Sequence, residues 1–400
     1  MITVKMARDI ILDRIETLPQ EIVHLQDALG RYLAADIVSR FDIPPCDNSA
    51  MDGYAVHVSD IEKGGTKLKI AYEIPAGSIP KGPFEKTEAV KIMTGAPVPP
   101  GADAVIMRED TIEEGDHITV KNVPALHHHI RFQGEDIKSG DTVLHRGSRI
   151  GPAQIGILAS LRRILVPCCQ RPVVAVLATG DEIADLDEPL SREKISSSNS
   201  YTLISLIRET GAIPLYLGVA RDNRKDLAQK LSRAKRADLI LTTGGVSMGD
   251  YDVVKDVMSE GDNTMEFWKV EMKPGKPLAF GTISNIPAIG LPGNPVSTMI
   301  SFYQFARPAI LKMMGAQRLL LPVIRAKLAS KITSKGDRPE YVRATIERNG
   351  AELMVSPTGP QGSGILSSMA RGTCFIVVPK GTTAVYEGDY VECEIFEGSW

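Results

Sequence analysis

Three stretches in the middle of the chain place glycine or proline beside side chains that could bind a charged ligand. They are LTTGGVSMGDYD (241–252), MKPGKPLAFG (272–281) and GLPGNPVS (290–297). Each follows an apolar run, and an α/β sheet binds ligands in the turns after its strands. Glycines let backbone amides approach a ligand, and a helix N-terminus favours an anion. The pattern therefore predicts an anion-binding site at the carboxyl ends of strands.

Acidic side chains near these turns predict a divalent cation as well. Asp250 and Asp252 would repel an anion unless a cation lay between them and it. Asp181 and Glu182 follow a buried apolar run and should lie along the same sheet edge. Mg²⁺ suits such a site because one or two carboxylates, water and phosphate complete its coordination.

Two lysines and a serine predict the binding of an oxyanion. Lys273 and Lys276 flank a Pro-Gly pair, which should hold their ammonium groups in place for an oxyanion, and Ser247 can donate a hydrogen bond. The phosphate-loop pattern GxxxxGK[ST] and the dinucleotide pattern GxGxxG are both absent. The site is thus not that of the common nucleotide-binding loops.

The segment that carries these turns reads as alternating strands and helices. Val173–Ala178 is a continuous apolar run, typical of a strand buried on both faces. Ser198 or Asn199 should cap the next helix, and Gly211 should end it. Such alternation predicts a parallel sheet with helices on both faces. We expect strands at 173–178, 213–219, 238–241, 266–271, 277–282 and 286–290, and helices at 196–211, 223–236, 252–259 and 296–314.

The flanking segments have different patterns. Thr3 should cap a helix over 4–17, and a second helix is expected near 25–35. Short β-rich runs between Gly and Pro clusters then predict a β-rich module, with strands at 67–74, 89–93, 104–107 and 117–121 and a helix at about 152–161. After Gly315, strands near 322–329, 341–347, 352–355, 374–378 and 390–395 predict a small all-β domain, either sandwich or barrel.

The bulk composition predicts a cytoplasmic multidomain protein. At 400 residues with 43% hydrophobic and 24% charged residues, two to four ordinary domains are expected. A net charge of −3 argues against general binding of nucleic acid or membrane surfaces. No apolar run is long enough to span a bilayer, and the N-terminus does not read as a signal peptide. The odd count of five cysteines fits a reducing cytosol better than a disulfide framework, and Cys168 and Cys169 are interpreted as buried thiols, with a redox pair as the alternative.

Seven motifs in order resemble those of the molybdopterin molybdenumtransferase family, which includes the gephyrin E domain. They are DNSAMDGYAV (47–56), RFQGEDI (131–137), TGDE (179–182), SNSYTL (198–203), TTGGVSMGDYD (242–252), KPGKPLAFG (273–281) and LPGNPVS (291–297). The resemblance implies an elongated homodimer of four-part subunits. Those parts would be a split domain (1–40 and 136–170), a β-rich inserted domain (41–135), a three-layer α/β molybdopterin-binding domain (171–316) and a C-terminal β-barrel-like domain (317–400).

The same resemblance implies a reaction. Family members take adenylated molybdopterin and molybdate, cleave the adenylate with a divalent cation, release AMP and leave molybdenum on the dithiolene. Other cofactor-biosynthesis proteins are further partners that the resemblance allows. The implied catalytic residues are Asp52, Glu182, Asp222 and Asp250, and the implied metal ligands are Glu182, Asp250 and Asp252. The implied substrate-binding residues are Arg131, Asp136, Ser198, Asn199, Ser247, Lys273, Lys276, Pro277, Asn294, Arg343 and Ser363.

The chemistry separates these residues into two subsites. Carboxylates suit Mg²⁺, whereas molybdate is a tetrahedral dianion that suits the KPGK loop. The resemblance also implies that Asp52, Arg131 and Asp136 reach the site from the β-rich part of the other subunit. Two alternatives stay open: a molybdopterin adenylyltransferase, whose fold would match 171–315 alone, and a non-catalytic molybdopterin-binding scaffold.

Overall fold

The computed structural model describes residues 1–189, 191–245 and 263–396. The chain divides into two compact units. The first unit comprises Met1–Ala35, Arg146–Ile155 and Ile164–Trp400, and the second comprises Asp36–His145 and Gly156–Arg163. In the described part of the chain, no helix has the length and apolar character needed to cross a membrane.

A seven-stranded sheet forms the centre of the first unit. Its strands lie in the order Ile2–Thr3, Thr264–Glu271, Pro277–Ile283, Ile286–Leu291, Leu239–Thr243, Val173–Thr179 and Ile213–Ala220. Neighbouring strands are parallel except at Pro277–Ile283, which is antiparallel to both neighbours. The reason is local: only Ser284 and Asn285, both with positive φ, join it to the next strand. A two-residue hairpin turn of that kind forces antiparallel pairing.

Helices cover both faces of this sheet, as the alternating pattern predicts. They are Val4–Arg14, Ser198–Thr210, Arg224–Leu231, Pro295–Ser301 and Arg307–Met313, with the 3₁₀ helix Ser232–Arg236. The helix expected over 296–314 contains the π-helical turn Phe302–Ala306 just before Pro308, which lacks an N–H to continue the regular ladder. The helix expected over 252–259 lies outside the described residues.

The ends of two helices test the sequence signals for helix boundaries. Thr3 accepts a hydrogen bond from the Met6 amide, as expected of an N-cap. Gly211 ends the Ser198–Thr210 helix with φ 101°, again as expected. The expected cap at Ser198 or Asn199 is wrong, because Ser197 is the N-cap and its hydroxyl is bonded to that of Ser200 instead. The helix therefore begins one residue before the positions that the sequence suggested.

The helix expected near 25–35 is also wrong. The chain there forms the strand Gln20–His24 and the 3₁₀ turn Leu25–Asp27, and then pairs its backbone with distant segments. Gly30 N–H donates to the carbonyl of Ile150 at 2.7 Å, and Leu33 N–H donates to that of Ser148 at 3.0 Å. These long-range hydrogen bonds override the local helical pattern, as tertiary context often does. The strand Gln20–His24 pairs with Leu165–Cys169.

The C-terminal part of the first unit is a closed five-stranded barrel, which decides between the sandwich and barrel alternatives. Its strands are Val323–Leu328, Glu352–Pro357, Glu340–Asn349, Cys374–Val378 and Tyr390–Ile395. A short helix, Leu366–Ala370, and the strand pair Ile332–Thr333 and Ala384–Val385 accompany it. Outside the barrel, Ile183–Ala184 pairs with Ile195–Ser196.

The second unit is built on a six-stranded sheet, in agreement with the predicted β-rich module. The strands lie in the order Ala104–Met107, Gly53–Val56, Glu88–Ile92, Lys67–Ile74, His117–Val120 and Thr111–Glu114. Two small strand pairs join Asn48–Ser49 to Ile130–Arg131 and Ile37–Val38 to Thr142–Leu144. The remaining elements are the 3₁₀ turns Val58–Asp60 and Arg108–Asp110. The helix Pro152–Ser160 is divided at Ile155 between the two units.

All five cysteines are free, and every one except Cys46 is buried, which confirms the interpretation of Cys168 and Cys169 as buried thiols. Cys168 and Cys169 are buried, and burial raises the pKa of the Cys168 thiol to about 11. Their strand pairs with Gln20–His24, so the two thiols belong to a packed structural element.

Candidate functional site

A cleft of about 410 Å³ opens where the central strands of the first unit end. The strand Val173–Thr179 contributes Thr179, and Leu239–Thr243 contributes Thr243. The N-terminal residues of the Ser198–Thr210 helix and the loop at 292–295 complete its walls. This is the position that the turn motifs predict, and the term "cleft" is used below for this cavity.

Asn199 ties three of the cleft's elements together. Its side-chain amide donates to Thr243 Oγ1 at 2.9 Å and to the carbonyl of Gly293 at 2.8 Å. Thr243 in turn donates to the carbonyl of Pro292 at 3.1 Å. Both hydrogens of the Asn199 amide are therefore used within the protein. Ser198, its neighbour, is exposed and lines the cleft.

The TTGG turn brings backbone into contact with the strand beside it. Gly244 has φ +85°, and a Cβ there would lie under 3.0 Å from the carbonyl oxygen of Thr179. A side chain does not fit, so the turn exposes its backbone to the cleft. The Thr179 hydroxyl is buried and has no hydrogen-bond partner among the described residues. This backbone and hydroxyl surface suits a phosphate or another anion.

Three carboxylates follow the ends of the strands Val173–Thr179 and Ile213–Ala220. The amide of Asp222 donates to Asp181 Oδ1 at 3.1 Å, and the amide of Asp181 donates to Asp222 Oδ2 at 3.4 Å. Glu182 lines the cleft. Burial raises the pKa of Asp222, and the negative charges of Asp181 and Glu182 raise it further. The three groups thus share a region of unbalanced negative charge.

This donor set fits Mg²⁺, which needs one or two protein carboxylates when a phosphate group and water supply the remaining ligands. Among the described residues, no group of three or more histidine, cysteine or acidic side chains surrounds a metal position by itself. Of the expected metal ligands, only Glu182 lies in the part of the chain that the structure describes. Asp250, Asp252 and the expected donor Ser247 lie outside the described residues.

The KPGK loop (273–276) is fixed to the barrel by backbone and side chain. The amide of Lys273 donates to the carbonyl of Pro339 at 2.9 Å, and the amide of Tyr341 donates to the carbonyl of Lys273 at 2.8 Å. Between these bonds, Lys273 Nζ lies 2.8 Å from Glu340 Oε1. The loop is also seated on a helix, because a Cβ on Gly275 would lie 2.9 Å from Ser301 Oγ. Lys273 is therefore held in place, as its Pro-Gly context predicts.

Arg343 is a fully buried arginine on the neighbouring barrel strand. Its guanidinium donates to Ser368 Oγ at 3.0 Å and to the carbonyls of Pro360, Gln361 and Gly362 at 3.1–3.2 Å. Burial lowers its pKa, while the charge of Glu340 acts in the opposite direction. We call Lys273, Glu340 and Arg343 the Lys273–Arg343 cluster. In this structure Arg343 orders a loop, and its expected contact with an oxyanion stays a prediction.

The loop that Arg343 orders reaches the cleft. Ser363, the residue after Gly362, accepts a hydrogen bond from the Asn294 side chain at 3.1 Å. The carbonyl of Ser363 accepts from the amide of Val296 at 3.1 Å. Asn294 itself lines the cleft, as does Pro277 at the end of the KPGK segment. The expected residues Asn294, Pro277 and Ser363 are thus close to one another, and the Lys273–Arg343 cluster is connected to them through the barrel.

The second unit holds the expected residues Asp52, Arg131 and Asp136. Their segments meet there: Arg131 pairs with Asn48 in a two-stranded ladder, and the Asp136 amide donates to the carbonyl of Ile43. Asp52 Oδ1 accepts two hydrogen bonds from Thr94, both at 2.7 Å, which lower the pKa of that carboxyl. The exposed Asp52, Arg131 and Asp136 side chains are available to a ligand.

Sequence reasoning missed three residues that shape the site. Thr243 and Thr179 occupy the last positions of buried strands, and their hydroxyls face elements that are remote in sequence. Glu340 lies in the quoted RPEYVR segment, but its partner Lys273 is 67 positions away, so no local pattern indicates the pair. Position at the carboxyl end of a strand was the one signal that could have found the two threonines.

Comparison with known families assigns three consecutive regions of the chain. Residues 2–161 match the model described as MoeA N-terminal region (domain I and II). Residues 175–312 match a probable molybdopterin binding domain, and residues 325–396 match the MoeA C-terminal region (domain IV). The cleft and the KPGK loop lie within the second region, and the barrel corresponds to the third.

Individual relatives are similar along nearly the whole chain. The molybdopterin molybdenumtransferase of Haemophilus influenzae is 37% identical, with 99% of both chains covered. That of a Nostoc species is 35% identical and covers 92% of this chain and 87% of its own. Among solved structures, the molybdopterin biosynthesis moeA protein of Pyrococcus horikoshii superposes with a TM-score of 0.86 at 31% identity, covering 99% of this chain and 100% of its own.

Proposed function

The chain belongs to the molybdopterin molybdenumtransferase family, and from that premise we propose that it inserts molybdenum from molybdate into adenylated molybdopterin with Mg²⁺-dependent release of AMP. The observation that supports this reaction best is the cleft itself. A neutral surface of hydroxyls and backbone suits phosphate, and carboxylates lie at the ends of the adjacent strands. The Lys273–Arg343 cluster supplies the cationic groups that an oxyanion requires.

The neutral wall of the cleft binds the adenylate part of the substrate in this proposal. The TTGG turn presents backbone to the phosphate, and Ser198 and the Thr179 hydroxyl are free to donate to its oxygens. Asn199 does not bind substrate through its amide hydrogens, because both are used to hold Thr243 and Gly293. It keeps the cleft's walls at a fixed separation, so the substrate meets a preorganised site.

The carboxylates take the metal-binding role. Glu182 and Asp222 would hold Mg²⁺, with Asp250 and Asp252 as further ligands. When bound, the ion offsets negative charge that develops as the phosphoanhydride is cleaved. Asp222 orients its carboxylate through its hydrogen bond with the Asp181 amide, which leaves the second oxygen for a ligand.

Molybdate binds at the KPGK side. In this proposal Lys273 and Lys276 offer ammonium groups, and the hydrogen-bonded pair Ser363 and Asn294 offers a hydroxyl and an amide. Arg343 contributes its charge from behind the 360–362 loop, through which it also positions Ser363. The active form is a homodimer in this proposal, completed by Asp52, Arg131 and Asp136 of the partner subunit. The four-part division of the subunit, as set out from the sequence, is part of the same proposal.

AMP release tests the reaction directly. The purified chain is incubated with adenylated molybdopterin, MgCl₂ and sodium molybdate, and AMP is quantified by chromatography. We expect release that stops on chelation of the metal and falls about a hundredfold or more in Glu182→Gln, as for loss of a charge-stabilising group. The control is Glu209→Gln, which removes an acidic side chain from the helix Ser198–Thr210. This variant should retain activity.

The outcomes also separate the alternatives. AMP release without molybdenum incorporation would contradict the proposed transfer. Consumption of ATP to make the adenylated substrate would favour the adenylyltransferase alternative. Tight binding of the substrate without any AMP release would favour the scaffold.

A further inference from the structure

Glu340 is a buried carboxylate that uses only one of its oxygens. Its side chain is 9% exposed, and Oε1 lies 2.8 Å from Lys273 Nζ. Among the described residues, no donor is within hydrogen-bond distance of Oε2, and that oxygen is shielded from solvent. An unsatisfied buried oxygen on a charged group costs free energy, so its presence in a folded protein calls for a partner.

The residues around Glu340 belong to the proposed oxyanion subsite. Lys273 faces it from the KPGK loop, and Arg343 follows on the same barrel strand. Two backbone hydrogen bonds on either side of Glu340 fix the loop to the strand, so the backbone positions of Lys273 and Glu340 are held side by side. The other charged groups near it in sequence are Asp337 and Arg338, which pair with each other.

A carboxylate is an unusual neighbour for a dianion, since like charges repel. The contact becomes favourable when one proton lies between the carboxylate and the anion. A hydrogen bond then replaces the repulsion, and Oε2 of Glu340 gains the hydrogen-bond partner that it lacked. This arrangement also discriminates among oxyanions, because a more basic oxyanion shares the proton more readily. Molybdate is more basic than sulfate, and the two have the same charge and tetrahedral shape.

We infer that Glu340 is a specificity-determining residue, whose free oxygen shares one proton with bound molybdate and so favours molybdate over sulfate. The inference rests on the proposed function and deepens it. Molybdate is a dianion at neutral pH and Glu340 is ion-paired with Lys273, so the shared proton is taken up from the buffer on binding. Sulfate, the weaker base, leaves the carboxylate repulsion largely in place. The unsatisfied oxygen thus excludes the wrong dianion and accepts the right one.

Proton uptake is the direct test and needs no substitution. The full-length chain is titrated with sodium molybdate at neutral pH by calorimetry in two buffers with different ionisation enthalpies. The dependence of the binding heat on the buffer gives the protons taken up. We expect about one proton per molybdate, as linkage between proton and ligand requires. Titration with sodium sulfate should give weaker binding and little uptake.

Substitution tests the assignment to Glu340. Glu340→Gln keeps the shape of the side chain and an oxygen for Lys273, but removes the charge. We expect the proton uptake to disappear, sulfate to bind more tightly, and the ratio of molybdate to sulfate affinity to fall roughly tenfold. The matched control is Glu271→Gln. Glu271 lies two residues before the KPGK loop, and the substitution removes its carboxylate from an ion pair with Lys380. Its affinity ratio and proton uptake should match those of the unaltered protein.

The results distinguish this inference from the function on which it rests. Molybdate binding without proton uptake overturns the inference alone and leaves the transferase reaction untouched. An unchanged affinity ratio in a folded Glu340→Gln variant has the same meaning. A chain that binds no molybdate and releases no AMP overturns both.

Discussion

The cleft and the Lys273–Arg343 cluster are connected by the Asn294–Ser363 hydrogen bond, yet they handle charge in opposite ways. The described walls of the cleft offer hydroxyls and backbone, and the carboxylates at its strand ends add negative charge. The cluster consists of two cations and one carboxylate, with Arg343 and Glu340 buried. The first region depends on an added cation for its charge balance, whereas the second contains its own.

This difference tells us what each region contributes. In the cleft, backbone shape decides what can bind, because hydroxyls and amides act only over short distances. In the cluster, the charged groups are paired with one another, and Arg343 also holds the 360–362 loop. Part of the cluster's contribution is therefore to the stability of the fold. Truncating the buried Arg343 should therefore destabilise the protein more than substitutions in the cleft, which should also alter binding.

The largest effect is expected for Arg343→Ala. The substitution removes one of the two cations near Glu340, leaving the pair with Lys273, and it removes four hydrogen bonds to the 360–362 loop and Ser368. Breaking a buried charged network of this kind costs about 3–5 kcal/mol. Denaturant unfolding measures the loss. Arg348→Ala, on the exposed end of the same strand, should change stability by no more than about 0.5 kcal/mol. Similar losses in the two variants would contradict a structural role for Arg343.

A smaller effect is expected for Gly244→Ala in the cleft. The added Cβ meets the carbonyl of Thr179, and the positive φ adds strain, for a cost of about 1–3 kcal/mol. AMP affinity should fall more than stability does, because the turn that binds phosphate must shift. Gly293→Ala is the matched control, since the nearest atom to its Cβ is 3.6 Å away. Equal affinity in both variants, measured by calorimetry, would show that the turn does not contact the nucleotide.

Asn199→Ala tests whether the hydrogen bonds of Asn199 fix the walls of the cleft in position. It removes two hydrogen bonds and should cost about 1–2 kcal/mol, with a raised KM for the adenylated substrate. Asn294→Ala removes a single side-chain hydrogen bond, from the cleft to Ser363, so we expect about half that loss in stability. A kcat that falls while KM stays constant would contradict the positioning role of Asn199.

The smallest effect is a pH dependence of opposite sign in two carboxylates. The pKa of Asp222 is raised by burial, so the folded state binds its proton more tightly than the unfolded state does. Its ionisation therefore lowers stability as pH rises from the ordinary aspartate pKa through the raised value. The pKa of Asp52 is lowered by the Thr94 hydrogen bonds, so its contribution is lost as pH falls through the lowered value.

Unfolding curves between pH 3 and pH 7 check both signs. Asp222→Asn should flatten the decline at higher pH, and Asp52→Asn should flatten the decline at lower pH. If both substitutions flattened the pH dependence of the unfolding free energy in the same pH range, the two local environments would not differ as the structure indicates.

Several strands and two of the helix ends could be predicted from local sequence signals. The strand Lys67–Ile74 coincides with its predicted range because β-favouring residues are bounded by turn residues on both sides. Thr3 and Gly211 mark their helix ends for local reasons of hydrogen bonding and φ. The segment 25–35 could not be predicted in this way, because its hydrogen bonds lead to residues 148 and 150, more than a hundred positions away.

The sequence by itself determined the residues that can do chemistry and the order of the elements that carry them. Glycine, proline and apolar spacing act locally, so the TTGG and KPGK turns could be read at once. Only the tertiary structure decided which side-chain groups form hydrogen bonds within the protein and which have no partner there. It commits the Asn199 amide and the Arg343 guanidinium to the protein, and it leaves one oxygen of Glu340 without a partner in the part of the chain that the structure describes. The physical reason is that hydrogen bonding and burial depend on neighbours in space, and the neighbours of these side chains are far away along the chain.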